Sequence, residues 1–516
     1  MHCRRPFSLA LLWLSGSLLA MVHLTTAHAA DPAAKRTTLV DGCGSGGARF
    51  AGADAMFEAA AAAGNFPGAI WGVVHRGRWV HCKTVGVADL ERNTPVTADT
   101  VFRIASMTKS VTALGVLKLR DTGRLSLDDP AARWIPELPR PRAPGQDRDI
   151  RVRDLLGHTA GFVTDDPWGD RQLPLSEPAF TQLIKSGIPQ ARAPGVAYEY
   201  SNYGYALLGR ITARAGKTTY QDFIRRELLA PLGMTASGFD PTTVQPEHRA
   251  RGYRFEDGKH SEEPVLGDGA FASMGGMQTT ANDYVRYLDF LLDAWRTTQP
   301  SRYEQVLSRA TRRELAQPTS FPRMRQPDTS DKASCGAALA YSYGMHVVTD
   351  CRFQNAMTHS GGLPGYGSNV LVLPQYDAAV FLFANRTYAP AAAAMRKIAA
   401  RLIDDGVLVA PDSGVSPALQ AAAQTILQVY QAASLDAAPN GLAENLLLDR
   451  ALATRNRELR HVRERLGTCQ GDAKFVVENA LAAVMKFTCE RGTLSVDALL
   501  APTQTPQFQR LEVSAQ

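Results

Sequence analysis

Strand-forming alternation occurs at the two ends of residues 50–405 and almost nowhere between them. Ala69–His75 and Arg78–Val85 alternate apolar and polar character around Arg76-Gly77, a hairpin signal. Strand signals return at Tyr341–Thr349, Ser368–Leu373 and Ala378–Phe383, and a last helix is predicted over about 389–405. Between the two sets, helix and loop alternate. The spacing predicts helices over 51–64, 107–120, 203–216, 218–230 and 282–296. In the 107–120 helix, Val111, Leu114 and Leu117 are expected to face inward, with Val116 and Leu119 beside them. This order calls for one sheet assembled from distant segments, flanked by helices and interrupted by a helical region, an α/β (α+β) architecture.

The chain has 516 residues, too many for one hydrophobic core. After Pro411 the pattern changes: residues 416–433 and about 440–466 read as helices, and 473–513 as short strands between turns. The expected organisation is therefore residues 1–29 as a targeting segment, 30–410 as the principal domain, and 411–516 as a small C-terminal α+β domain. The formal charge of +6 is mild for this length, and no Lys/Arg run stands out, so no nucleic-acid partner is expected.

Arg4 and Arg5 precede an apolar stretch from Phe7 to about Leu24, and Ala27-His28-Ala29 follows as a cleavage pattern. Arg4-Arg5-Pro6-Phe7 resembles a twin-arginine export signal. The alternative, a retained anchor, is opposed by Ser15, Gly16, Ser17 and His23 within the stretch. An exported protein, periplasmic or secreted, with no stable membrane span after signal removal is the expectation. Six cysteines remain beyond the leader: Cys43, Cys82, Cys335, Cys351, Cys469 and Cys489. They permit fifteen pairings, and their order suggests three local ones, 43–82, 335–351 and 469–489. No C-x-x-C or H-E-x-x-H occurs, so neither metal nor cofactor is expected.

Three short motifs carry chemistry. Ser106-Met107-Thr108-Lys109 opens a predicted helix, and three residues is nearly one turn, so the two side chains share a face. A serine hydroxyl needs a base to become a nucleophile. Lysine can be that base only when burial or positive neighbours lower its pKa. Tyr200-Ser201-Asn202 precedes a helix; Tyr200 can pass a proton, and Asn202 can orient a carbonyl or the lysine. The structural alternative is a packed Tyr200 and an Asn202 that caps the helix from 203. His359-Ser360-Gly361-Gly362 is expected in a turn between strands, where glycines let a substrate approach the backbone. A backbone N–H there can serve an oxyanion hole.

S-x-x-K, Y-x-N and H-x-G, in that order and about 90 and 160 residues apart, resemble the class C β-lactamase family and its DD-peptidase, D-amino-acid peptidase and esterase relatives. Val101–Ala105, Leu125–Pro130, Asp154–Gly161, Gly275–Thr280 and His359–Gly365 extend the resemblance, which covers about 50–405. It implies a β-lactamase/transpeptidase-like antiparallel sheet flanked by helices, with a helical subdomain. Ser106 would form the acyl-enzyme, with Lys109 and Tyr200 sharing proton transfer. Asn202 would place the substrate amide and the lysine. The N–H groups of Ser106 and Gly362 would form the oxyanion hole beside Gly361, and His359 would line the opposite wall. His158 is read as structural.

Class C β-lactamases resemble K-T-G where this chain has H-S-G, and histidine is mostly neutral near pH 7. The reading is accordingly a serine hydrolase acting on an ester or a D-amino-acid amide, with a small-molecule or peptide substrate, cell-wall material among the candidates. The alternatives are a β-lactamase or slow penicillin-binding DD-peptidase, and a non-catalytic ligand-binding sensor. The segments at about 163–190 and 240–270 are expected to shape the cleft.

Overall fold

The computed structural model describes residues 43, 47–139, 148–297, 299–327, 335–410 and 414–516. The expected targeting segment lies outside them. Nine antiparallel strands form the main sheet: β1 (Gly68–His75), β2 (Arg78–Asp89), β3 (Thr94–Pro95), β4 (Ser320–Arg325), β5 (Ala337–Tyr341), β6 (His346–Thr349), β7 (Ala356–Leu363), β8 (Tyr366–Leu373) and β9 (Ala378–Ala384). Their order across the sheet is β3-β2-β1-β9-β8-β7-β6-β5-β4. The first hairpin thus lies against the last strand, Ala69 opposite Ala384, as a sheet drawn from both ends of this region requires. The alternation of β8 and β9 divides two cores. Val370, Val372, Phe381 and Phe383 join the core shared with the helical region, while Leu371, Leu373, Val380 and Leu382 join the other. That second core is covered by α1 (Ala51–Ala63) through Phe57 and by the helix Ala391–Asp404 through Met395, Ile398 and Leu402.

The helix after the nucleophile motif, α2 (Thr108–Asp121), is buried on every side from Thr108 through Leu117 rather than on one face. A helix enclosed by other elements needs no polar face. α3 (Asn202–Gly216) and the short helix Ala272–Gly275 pack on it. Tyr341–Thr349 is a hairpin, not one strand. Gly344 at its turn has φ +76°, and a Cβ there would stand 2.5 Å from the Lys109 carbonyl oxygen. The helical middle also holds short strand pairs, Phe102–Arg103 with Gln278–Thr279 and Tyr253–Glu256 with Lys259–Glu262.

Residues 414–516 carry a separate four-stranded antiparallel sheet, Cys469–Asn479, Ala482–Cys489, Gly492–Leu500 and Phe508–Ala515. The helices Pro417–Ala432 and Leu452–Leu466 share its core with Met485, Phe487 and Val496. The helix expected over 440–466 is broken, with Glu444–Asp449 ending before Leu452. All three local cysteine pairs are disulfides: Cys43–Cys82, Cys335–Cys351 and Cys469–Cys489. They fit an oxidising compartment. Among the described residues, no helix is long and apolar enough to cross a membrane. Cys335 and Cys351 also lie near Asp350, but their sulfurs are committed to each other.

Candidate active site

Ser106 sits in a 3-10 turn, Ala105–Met107, that runs into α2. Ala105 ahead of it holds φ +49°, an unusual conformation for a residue with a Cβ and one that tends to be kept at working sites. One turn on, Lys109 is fully buried, and its Nζ lies 2.9 Å from Ser106 Oγ. Nζ also donates to Asn202 Oδ1 at 2.6 Å and to the Met274 carbonyl at 2.7 Å. From the other side Tyr200 OH donates to Ser106 Oγ at 2.9 Å. The Tyr200 ring centroid is 4.8 Å from the lysine nitrogen.

This geometry admits a neutral lysine. With two N–H groups engaged by Asn202 and Met274, the lone pair is left for the Ser106 hydroxyl proton. Burial lowers the Lys109 pKa to about 8, against the opposing fields of Asp166, Asp170 and Asp165. The Tyr200 phenol is pushed well above its ordinary pKa by burial and then by Asp166, with the Ser106 hydrogen bond acting the other way. It therefore stays protonated, a donor to the serine.

The local fold sets Asn202 in place. Ser201, not Asn202, caps α3, accepting from Gly204 N–H at 3.0 Å. Asn202 is the first helical residue. Its N–H and that of Tyr203 are taken by Asp165 at 2.7 and 2.8 Å, so the exposed donors of the helix start are satisfied. Its side-chain Nδ2 donates to Asp166 at 2.6 Å, which leaves Oδ1 aimed at Lys109. A Cβ at Gly169 would stand 2.6 Å from Asn202 Cβ, so the 165–170 segment is pressed against this residue.

The H-S-G-G motif lies within strand β7, not in a turn; the turn follows at Pro364-Gly365. Its pairing with β6 ends at Thr358, so residues 359–363 continue beyond that strand, and β7 packs against the nucleophile turn. The glycines answer to close packing rather than to a bend. A Cβ on Gly361 would meet the Ile104 carbonyl oxygen at 2.1 Å, and one on Gly362 would meet the Tyr388 ring at 2.5 Å. His359 is buried, 6.3 Å from Tyr200 between ring centroids. Its Nδ1 donates to the Ser360 carbonyl at 2.6 Å, and Tyr341 OH donates to its Nε2 at 3.3 Å. Burial, then His346 and Lys109, push its pKa well below the ordinary value, so it is uncharged at neutral pH.

His158, read from the sequence as structural, accepts from Ser201 N–H at 3.1 Å and packs on Tyr200 and Tyr341. The sequence reading did not single out Met274, Asp165, Asp166, Asp170 or Tyr388. The first lies one residue before the Gly275–Thr280 string, and the three aspartates fall in the 163–190 segment expected to shape the cleft. Asp170 is buried, accepts from Tyr388 OH at 2.8 Å, and has its pKa raised to about 7 by burial and then by Asp166.

A serine, a buried lysine and a tyrosine meeting on one hydroxyl, between a helical region and a strand of an antiparallel sheet, define the β-lactamase and penicillin-binding type of serine hydrolase. The chain belongs to the Beta-lactamase family, whose model matches residues 53–405. It is 26% identical over 306 residues to a penicillin-binding protein of Bacillus subtilis (strain 168), covering 55% of this chain and 61% of that one. It is 27% identical over 340 residues to Protein flp of Staphylococcus aureus (strain COL), covering 64% and 62%. Each match thus spans about six tenths of the relative's length. An octameric penicillin-binding protein homologue from Pyrococcus abyssi shares the fold at TM-score 0.57 and 19% identity, over 90% of this chain and 99% of that one.

Proposed function

We propose that this chain is an exported serine hydrolase that works through an acyl-enzyme on an ester or on an amide containing a D-amino acid. The carrying observation is the Ser106 hydroxyl held at 2.9 Å by both Lys109 Nζ and Tyr200 OH. Neutral Lys109 takes the serine proton as Ser106 Oγ attacks the substrate carbonyl carbon. The oxyanion is received by the N–H groups of Ser106 and Gly362. Tyr200 gives its proton to the leaving oxygen or nitrogen as the carbonyl–leaving-group bond breaks, and Lys109 returns a proton to Tyr200. Water then attacks the acyl-serine by the same route in reverse.

The uncharged His359 favours this reading over an efficient β-lactamase, whose substrates carry a carboxylate that a fixed cation would hold. The resemblance to penicillin-binding proteins supports a second reading, slow acylation by penicillin. Intact mass after incubation with an activated ester, and separately with a penicillin, tests both against Ser106→Ala. Wild type is expected to hydrolyse the ester and Ser106→Ala to lose at least about a thousandfold. Ester turnover near wild type in the variant would sink the proposal. A persistent Ser106-dependent penicillin adduct would move the weight to the second reading.

A further inference from the structure

The two ends of the cleft differ. At one end stand Tyr200 and His359, and beyond them Tyr198 and His346, whose rings lie 6.4 Å apart. His346 packs 5.5 Å from His359. A group that protonates the leaving atom must touch it. Because Tyr200 does this in the acyl-transfer reading, the leaving portion of the substrate belongs on the Tyr200 side, and the acyl portion at the other end.

The other end is crossed. The 165–170 segment is anchored on Asn202 through Asp165, Asp166 and the close approach of Gly169. From it, Asp170 accepts from Tyr388 OH at 2.8 Å. Tyr388 comes from the opposite wall, in the segment between β9 and the helix Ala391–Asp404, and its ring lies directly on Gly362. Asn202, Gly169, Asp170, Tyr388 and Gly362 therefore form a continuous chain of contacts from one wall to the other. Tyr388 is 41% exposed and holds φ +49°, so burial alone does not account for its position.

We propose that the Asp170–Tyr388 hydrogen bond is a bar across the acyl end of the cleft, restricting the enzyme to short acyl groups. The inference rests on the acyl-transfer reading above. It is tested with p-nitrophenyl acetate, butyrate and octanoate, taking the octanoate-to-acetate ratio of kcat/KM, which cancels any general change in the nucleophile. In wild type that ratio is expected below about one tenth, and Tyr388→Ala and Asp170→Ala, which remove the bar from opposite walls, are each expected to raise it at least about tenfold. Either variant suffices if the other fails to fold. A flat wild-type profile, or a steep profile unchanged in the folded variants, would overturn the bar while leaving the hydrolase reading intact. No Ser106-dependent hydrolysis of any of the three esters would overturn both.

Discussion

At the scale of single residues, Lys109 decides when the site can work. It must be neutral to accept the serine proton, and its pKa is lowered to about 8 by burial. The sign follows directly: below that value the lysine is protonated and acylation is suppressed, and kcat/KM should rise with pH along a limb centred near 8. Among the opposing charges Asp166 is the largest. Asp166→Asn keeps an oxygen for Asn202 Nδ2 but removes the charge, so the limb should move to lower pH. A pH profile of ester hydrolysis from 5.5 to 9.5 reads this directly, in about half-unit steps. A limb that stays put or moves upward would show that Asp166 does not set the charge of Lys109. The S-x-x-K pair was legible because one helical turn fixes the two side chains on one face. Asp166 was not, since its role depends on a chain approach across 36 residues to Asn202.

At the scale of elements, the site depends on strand backbones lying very close to the nucleophile helix. The turn of β5–β6 rests on the Lys109 carbonyl through Gly344, where any side chain meets both a positive φ and a wall of backbone. Gly123 has a similar φ, +69°, with nothing near its absent Cβ, so it isolates the cost of the backbone conformation alone. Gly123→Ala is expected to cost about 1 kcal/mol and Gly344→Ala about 2–4 kcal/mol, with the difference measured by denaturant unfolding. Equal losses would mean that the turn can lift from α2 freely. The same close packing explains what the sequence concealed. Gly361-Gly362 reads as a turn because glycine is permissive, whereas here it marks a straight strand squeezed by Ile104 and Tyr388. β1, β2, β8, β9 and the main helices were readable because each is a long segment rich in apolar residues and bounded by turn residues, even where both faces are buried; the hairpin at 342–345 left no such signature.

At the scale of the whole chain, the buried side chains of residues 414–516 form a core of their own, from Leu419 to Leu511, and among the described residues none before 415 belongs to it. The reacting groups, from Ser106 to Gly362, lie wholly within residues 47–410. A unit with its own sheet, its own core and a disulfide between directly opposed residues, Cys469 and Cys489, has what independent folding needs. The division expected near residue 410 is therefore a proposal about cooperativity. A chain ending at residue 410 should keep Ser106-dependent ester hydrolysis, and residues 414–516 alone should unfold in a single cooperative transition. Reduction should weaken that fragment by about 3 kcal/mol, the loop-closure entropy of a crosslink spanning some twenty residues. The measurement is calorimetry on both fragments with and without reductant, beside the esterase assay. If the shorter chain folds but loses hydrolysis, the C-terminal unit completes the cleft and the acyl-transfer site is not self-sufficient. If the C-terminal fragment shows no transition even when oxidised, its core depends on the principal domain and the chain folds as one unit.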